Sequence, residues 1–234
     1  MDRRHCLVTG ANRGLGLEFV RQLLARRHHV VATCRHPGKA TALNTLAGEY
    51  PGRLHVLPLD VAEPRSHAEL ARELALVTDG EKLDLLVNNA GVLRGSERFG
   101  HVQPADLEAS FRTNAMGPFL LVQTLASQIA DGGTVANISS EVGSIALRQE
   151  FRTPSYAIGK AAQNMATSLL AQALESRRIK VVALHPGWVQ TDMGGEQAAL
   201  TAQESVAGLL QVIDHLDEDD SGGFLDWQGQ TLPW

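Results

Sequence analysis

Two residues of unlike chemistry sit four apart in SYAIGK (155–160): the phenol of Tyr156 and the ammonium of Lys160. On a helix, positions i and i+4 are stacked neighbours, so the pair shares one face with the lysine one turn on. A proton-bearing hydroxyl is thereby held near a fixed positive charge. The spacing alone fits equally a surface tyrosine beside a solvated lysine. A second stretch bears on the choice. Thr9-Gly10-Ala11-Asn12-Arg13-Gly14-Leu15-Gly16 joins an apolar run to an amphipathic one. Glycines there permit a tight turn and close approach of a ligand to the backbone. The first turn of the following helix presents free N–H groups to a pyrophosphate.

The ends of the next apolar runs choose among dinucleotides. An NAD site places an acid about 20 residues on, where it holds the ribose 2′-hydroxyl. Here the second run ends Thr33-Cys34-Arg35-His36, without one. A guanidinium binds a 2′-phosphate that a carboxylate would repel. Arg35, with Arg13 in the glycine turn, therefore favours NADP(H) over NAD(H), and Thr33 is placed to add a hydroxyl contact. Asp60-Val61 ends the third run, where an aspartate can accept from an adenine amino group. Asn88-Asn89-Ala90-Gly91 ends the fourth. Its asparagines must find hydrogen-bond partners and can tie neighbouring strands together. Ala90 and Gly91 are small enough to admit the adenosine half of a cofactor.

These residues need a frame to bring them together, and the rest of the chain supplies one. Apolar, β-rich runs at 6–10, 29–34, 53–61, 83–91, 134–140, 180–187 and 222–227 alternate with helical patterns at 15–27, 37–47, 66–77, 104–113, 117–130, 154–177 and 201–215. Such alternation implies βαβ units and a mostly parallel sheet, with helices on both faces. The expected fold is α/β: one doubly wound Rossmann domain over 1–234 with seven strands. Its cofactor half runs to about 113 and its catalytic half from about 114. The 234 residues are 44% hydrophobic and 20% charged, which suits an ordinary globular protein. A net charge of −5 with no basic stripe argues against nucleic acid as a partner. No apolar run approaches a membrane span, and the N-terminus lacks a secretory pattern, so a cytoplasmic location without membrane contact is expected. No His, Cys or carboxylate cluster has metal-ligand spacing. Cys6 and Cys34, on neighbouring strands but offset by several residues of ~3.3 Å each, should be free thiols.

TGANRGLG, NNAG, a strand ending NISS, YAIGK and PGWVQT occur in that order. This resembles the short-chain dehydrogenase/reductase family along essentially the whole chain. The stretches PGWVQTDMGG and FLDWQGQTLPW look closer still to its C-factor-like or sniffer-type carbonyl reductases. The resemblance implies NADPH-dependent reduction of an aldehyde or ketone. Tyr156 is then the general acid. A free phenol has a pKa near 10, and a nearby cation lowers it toward working pH. Lys160 supplies that cation and holds the nicotinamide ribose, with Ala157, Ile158 and Gly159 leaving it room. Ser140, second in its pair, donates to the substrate oxygen, with Ser139 as the competitor. Asn114 supports a water leading to the lysine; on its own terms it is equally a helix N-cap. Pro186, Gly187, Val189 and Thr191 lie beside the nicotinamide, Thr191 touching its carboxamide or a phosphate.

The loop at 141–155 is expected to wall the site and 193–205 to form a short lid. Trp188, Trp227 and Trp234 are candidates for an apolar pocket or for core packing. The resemblance makes a homodimer through the helices at 114–130 and 154–177 possible. A nucleotide-binding regulator on the same fold is the alternative function. It would have no chemical need of the phenol–ammonium pair.

Overall fold

The computed structural model describes residues 3–95 and 97–234. Seven strands form one sheet: β1 (His5–Val8), β2 (His29–Cys34), β3 (Leu54–Pro58), β4 (Leu83–Asn88), β5 (Ile129–Ile138), β6 (Lys180–His185) and β7 (Phe224–Asp226). Their spatial order is β3-β2-β1-β4-β5-β6-β7, and every pairing is parallel. The order reverses direction between β1 and β4. In an open α/β sheet, ligands bind at such a switch point, beyond the carboxyl ends of the strands.

Side chains alternate across the strands and so build two cores. Cys6, Val8, Val30 and Ala32 pack with Phe19, Val20, Leu23 and Leu24 of α1 (Gly14–Ala25) and with Val206, Leu209 and Leu210 of α7 (Ala202–His215). Leu7, Val31, Leu86 and Val135 face the other way. They meet α3 (Pro64–Val77), α5 (Gly117–Leu125) and α6 (Pro154–Leu174). Burial on both faces is why these strands read as continuous apolar runs rather than alternating ones. Cys6 is level with Val30 rather than Cys34, and both cysteines are free and buried.

Several boundaries differ from the sequence expectation; β3 stops at Pro58 and β4 at Asn88, so Asp60-Val61 and Asn89-Ala90-Gly91 lie in the loops just beyond their strands. The helix from 117 ends at Leu125, and β5 begins at Ile129 rather than 134. Asp131-Gly132-Gly133 belongs to the strand, where the register to β4 shifts between Leu83 and Leu85; glycines at a bulge read as a turn in sequence. The helix expected at 37–47 is a short 3-10 turn at Pro37–Lys39 followed by α2 (Thr41–Glu49). Finally, α4 (Pro104–Phe111) runs into α5 through a single π turn at Arg112–Met116, without a break. The edge strand β7 is covered by the chain's own tail: the Leu232 amide donates to the Phe224 carbonyl (2.8 Å), and the Trp234 ring stacks on Phe224. Among the described residues no helix is long and apolar enough to cross a membrane.

Candidate active site

The carboxyl ends of β1, β2 and β4 meet at the glycine turn. Gly10 has φ +63°, and a Cβ on it would lie 2.8 Å from the Ala90 Cα. A Cβ on Gly16 would lie 2.4 Å from the Gly10 carbonyl oxygen and 2.5 Å from the Asn89 amide nitrogen. These two glycines therefore serve close approach of chain to chain as much as approach of a ligand. Asn89 donates to the carbonyls of Thr9 (2.9 Å) and Gly10 (3.2 Å), and the Thr9 hydroxyl accepts from the amides of Asn89 and Ala90. Asn88 donates to Asn137 on β5 at 2.8 Å. Strand-tying by both asparagines is what the geometry displays.

Above this platform Asn12, Arg13 and Gly14 are exposed, with Leu15 half-buried. No side chain caps the N-terminus of α1, and its first turn holds no acid. Its amides are left for an anion. The Ala11 amide donates to the Thr33 carbonyl at 2.9 Å, which sets the turn beside the end of β2 and the exposed Arg35. Thr33 itself is fully buried, its hydroxyl turned to the Val8 carbonyl. It is not available for the contact expected of it. Arg13 pairs with Asp192 at 2.5 Å, both largely exposed. Asp60 accepts from the Ala62 amide, and Val61 is buried beside it.

The catalytic candidates converge at the ends of β4, β5 and β6. Ser139 and Ser140 part company there. Ser139 is buried and donates to Asn164 of α6 at 2.6 Å. Ser140 caps a short turn at Glu141–Gly143, accepting from the Val142 amide at 3.4 Å, and its hydroxyl is near enough to Tyr156 to favour the phenolate. Lys160 is buried one turn on, its Nζ 5.6 Å from the Tyr156 ring centroid. That Nζ donates to the Ile138 carbonyl (2.6 Å) and to Gln163 Oε1 (2.8 Å). Asn114 is not an N-cap. It sits inside the π turn, fully buried, accepting from the Val92 amide (2.8 Å) and donating to the Val92 carbonyl (2.9 Å) and Ser110 Oγ (3.0 Å). A Cβ on Gly91 would meet Asn114 Oδ1 at 3.2 Å and Lys160 Nζ at 3.9 Å, so NNAG reaches the lysine.

Gly159 does not leave space for a ribose. A Cβ there would lie 2.7 Å from Ser110 Oγ, so its absence lets α6 close on α4. On the far side, Gly187 has φ +79° and packs near Leu200 and Trp227, and the Pro186 carbonyl accepts from Ser205 of α7. Val189 is buried and bridges Leu200. The Thr191 hydroxyl donates to the Val189 carbonyl and accepts from the Gly194 amide; its methyl faces Gly14. Trp227 packs against Gly187 and Gly208, and Trp234, though exposed, stacks on Phe224; Trp188 is exposed and donates to the Gly194 carbonyl at 2.8 Å.

Electrostatics correct one expectation. Burial pushes the Tyr156 phenol up to about 12, and the nearby Ser140 hydroxyl pulls against that. The same burial brings Lys160 down to about 7. Desolvation disfavours the charged form of each group, and here it outweighs the lowering expected of the phenol. Sequence reasoning also missed residues that orient the site. His185 Nδ1 accepts from the Glu141 amide, next to Ser140. The Glu97 carboxylate accepts from the Ser155 amide and hydroxyl, capping α6 one residue before Tyr156. Gln163, three residues past Lys160, was a findable i+3 neighbour.

Comparison with known proteins matches this architecture. The model for short chain dehydrogenase matches residues 4–201. Over 154 residues the chain is 41% identical to C-signal of Myxococcus xanthus, an alignment covering 65% of this chain and 93% of that protein. The crystal structure of NADPH bound carbonyl reductase from chicken fatty liver is similar at a TM-score of 0.94 and 39% identity, covering 100% of both chains. Carbonyl reductase Sniffer of D. melanogaster is similar at 0.95 and 32%, again over 100% of both. The chain belongs to the short chain dehydrogenase family.

Proposed function

We propose that this short chain dehydrogenase is an NADPH-dependent carbonyl reductase that converts an aldehyde or ketone to an alcohol, with Tyr156 as general acid. The observation that carries the reading is the single face on which the Ser140 hydroxyl, the Tyr156 phenol and the buried Lys160 ammonium line up. The uncapped start of α1, with Arg13 and Arg35 beside it and no acid at the end of β2, fits a dinucleotide carrying a 2′-phosphate. When bound, NADPH supplies the hydride that reduces the carbonyl carbon.

The chain's own residues manage the oxygen and its proton. Ser140 donates a hydrogen bond to the carbonyl oxygen as negative charge grows there. Tyr156, a neutral phenol at physiological pH, gives that oxygen its proton. Lys160 stabilises the phenolate left behind, an attraction strengthened by the low local dielectric. Asn114 holds the Val92 backbone to the π turn beside this group, and Asp60, Ala90 and Gly91 form the floor for the adenosine half. Pro186, Gly187, Val189 and Thr191 form the nicotinamide side. Ile158, Met165 and Leu169 are exposed along one stripe of α6, which supports a homodimer through this face.

The resemblance to C-signal gives a nucleotide-dependent signalling protein as the other reading. It uses the cofactor cradle but leaves the Ser140–Tyr156–Lys160 face without a purpose. The test is loss of NADPH absorbance with a panel of aldehydes, ketones and quinones, run beside NADH. Turnover with NADPH and little with NADH is expected. Tight NADPH binding with no turnover on any carbonyl would reject the reductase reading in favour of the signalling one.

A further inference from the structure

Lys160 is the one lysine fully withdrawn from solvent among the described residues. A buried ammonium needs acceptors for its protons. Two are provided inside the protein: the Ile138 carbonyl at 2.6 Å and Gln163 Oε1 at 2.8 Å. The ammonium has donors only, so the amide atom facing it must be the oxygen. Gln163 is itself completely buried, and its Nε2 has no partner among the described residues. A leucine would fill this helix position without burying an orphaned donor. The fold tolerates that donor and thereby keeps an oxygen against Lys160. The glutamine is anchored from behind. Its backbone carbonyl accepts from Thr167 Oγ1 (2.9 Å), which accepts from Asn137 Nδ2 (2.9 Å), and Asn137 Oδ1 accepts from Asn88 (2.8 Å). One hydrogen-bonded line thus connects β4 and β5 to the helix turn that carries the lysine.

We propose that Gln163 is a positioning residue: its side-chain oxygen, with the Ile138 carbonyl, holds the Lys160 ammonium in place and in its charged form beside Tyr156. This role in catalysis rests on the carbonyl reductase reading; the hold on Lys160 does not. The surroundings leave the task to these two acceptors. Among the described residues no carboxylate acts on Lys160; burial alone brings it down. Tyr156 is the titratable neighbour on its own helix, while Gly91 from the end of β4, Asn114 from the π turn and Gly143 from the 141–143 turn are neutral. Replacing Gln163 by an apolar residue should therefore weaken proton binding at Lys160. Replacing it by glutamate, of the same shape but charged, should strengthen it.

The chain has four lysines, Lys39, Lys82, Lys160 and Lys180. In the cofactor-free protein labelled at lysine ¹³Cε, the Lys160 resonance is the one lost in Lys160→Met, and its pH titration reads the ammonium directly. Gln163→Leu is expected to lower Lys160 proton affinity tenfold or more, and Gln163→Glu to raise it by at least as much. The high-pH limb of carbonyl reduction should move to lower pH in the first variant and to higher pH in the second. A purely structural glutamine would not produce opposite shifts. An unmoved Lys160 titration in both folded variants, or shifts of the same sign, would overturn the proposal. If Gln163→Leu does not fold, Gln163→Glu decides alone: no rise in proton affinity overturns it. Opposed NMR shifts in a protein that reduces no carbonyl would uphold the hold on Lys160 and reject the reductase reading instead.

Discussion

Ser139 and Ser140 are neighbours in sequence with separate duties in the structure, and replacing each alone should divide stability from turnover. Ser139 donates to Asn164 Oδ1 at 2.6 Å in a buried pair. In Ser139→Ala that oxygen loses its donor, and a buried acceptor left unpaired costs about 1–3 kcal/mol. At roughly 2–4 °C per kcal/mol for a domain of this size, Tm should fall by roughly 2–12 °C. Asn164 bonds to Ser139 and to the Gly143 carbonyl rather than to Tyr156 or Lys160, so kcat should stay within about an order of magnitude of wild type. Ser140 presents the opposite balance. Its hydroxyl accepts only a long bond, 3.4 Å from the Val142 amide, and is half-exposed. Losing that cap costs about 1 kcal/mol. Losing the donor to the developing oxyanion costs about 10²–10³ in kcat, as for other such donors. The assay pairs calorimetric Tm with NADPH-dependent reduction of whichever carbonyl the wild type turns over fastest. Ser139→Ala losing as much kcat as Ser140→Ala, or Ser140→Ala at wild-type rate, would refute the assignment of the hydroxyls.

Other perturbations probe the cofactor cradle and the buried pair. Arg35→Ala should raise KM for NADPH far more than for NADH; an equal effect on both in steady-state kinetics would remove the phosphate-binding role. Gly10→Ala forces a Cβ to 2.8 Å from the Ala90 backbone at φ +63°. A drop of about 1–3 kcal/mol in denaturant-measured stability is expected, with weaker NADPH binding by fluorescence. The pH dependence of stability follows from the buried pair. Lys160, brought down to about 7 from its ordinary value of 10.5, binds its proton more weakly folded than unfolded. The unfolded chain therefore holds more protons between those values, and stability of the cofactor-free protein should rise with pH from about 7 toward 10. Tyr156, raised to about 12, acts oppositely and should make stability fall as pH climbs past about 10. Denaturant titrations of Lys160→Met and Tyr156→Phe should flatten the rise and the fall respectively.

What could be read from sequence was what local spacing encodes. Tyr156 and Lys160 lie on one helix at i and i+4, so their proximity needed no knowledge of the fold. The seven-stranded parallel sheet followed from alternating periods, because strands buried on both faces appear as solid apolar runs such as LDLLVN. Positions fixed by tertiary approach were not legible. Gly117 and Pro118 look like a helix break in RTNAMGPF, yet Pro is tolerated in a first turn and the π turn carries the helix through. Asn114 therefore changed from a possible cap to a buried clamp on Val92. Thr33 looked available beside Arg35, but register with β1 turns it inward. The direction of the Tyr156 shift depends on how much water the assembled site excludes, which no spacing reports. Glu97 and His185 act through backbone amides of segments far from them in the chain, so their contribution carries no sequence pattern.

Delivery of the proton by the Tyr156 hydroxyl during carbonyl reduction is probed by Tyr156→Phe, which removes that oxygen alone. NADPH titration and turnover should be measured on the same preparation, with Tm recorded to establish folding. NADPH affinity is expected to stay close to wild type and carbonyl reduction to fall to background. Undiminished turnover in the folded, NADPH-binding variant would contradict proton delivery by Tyr156.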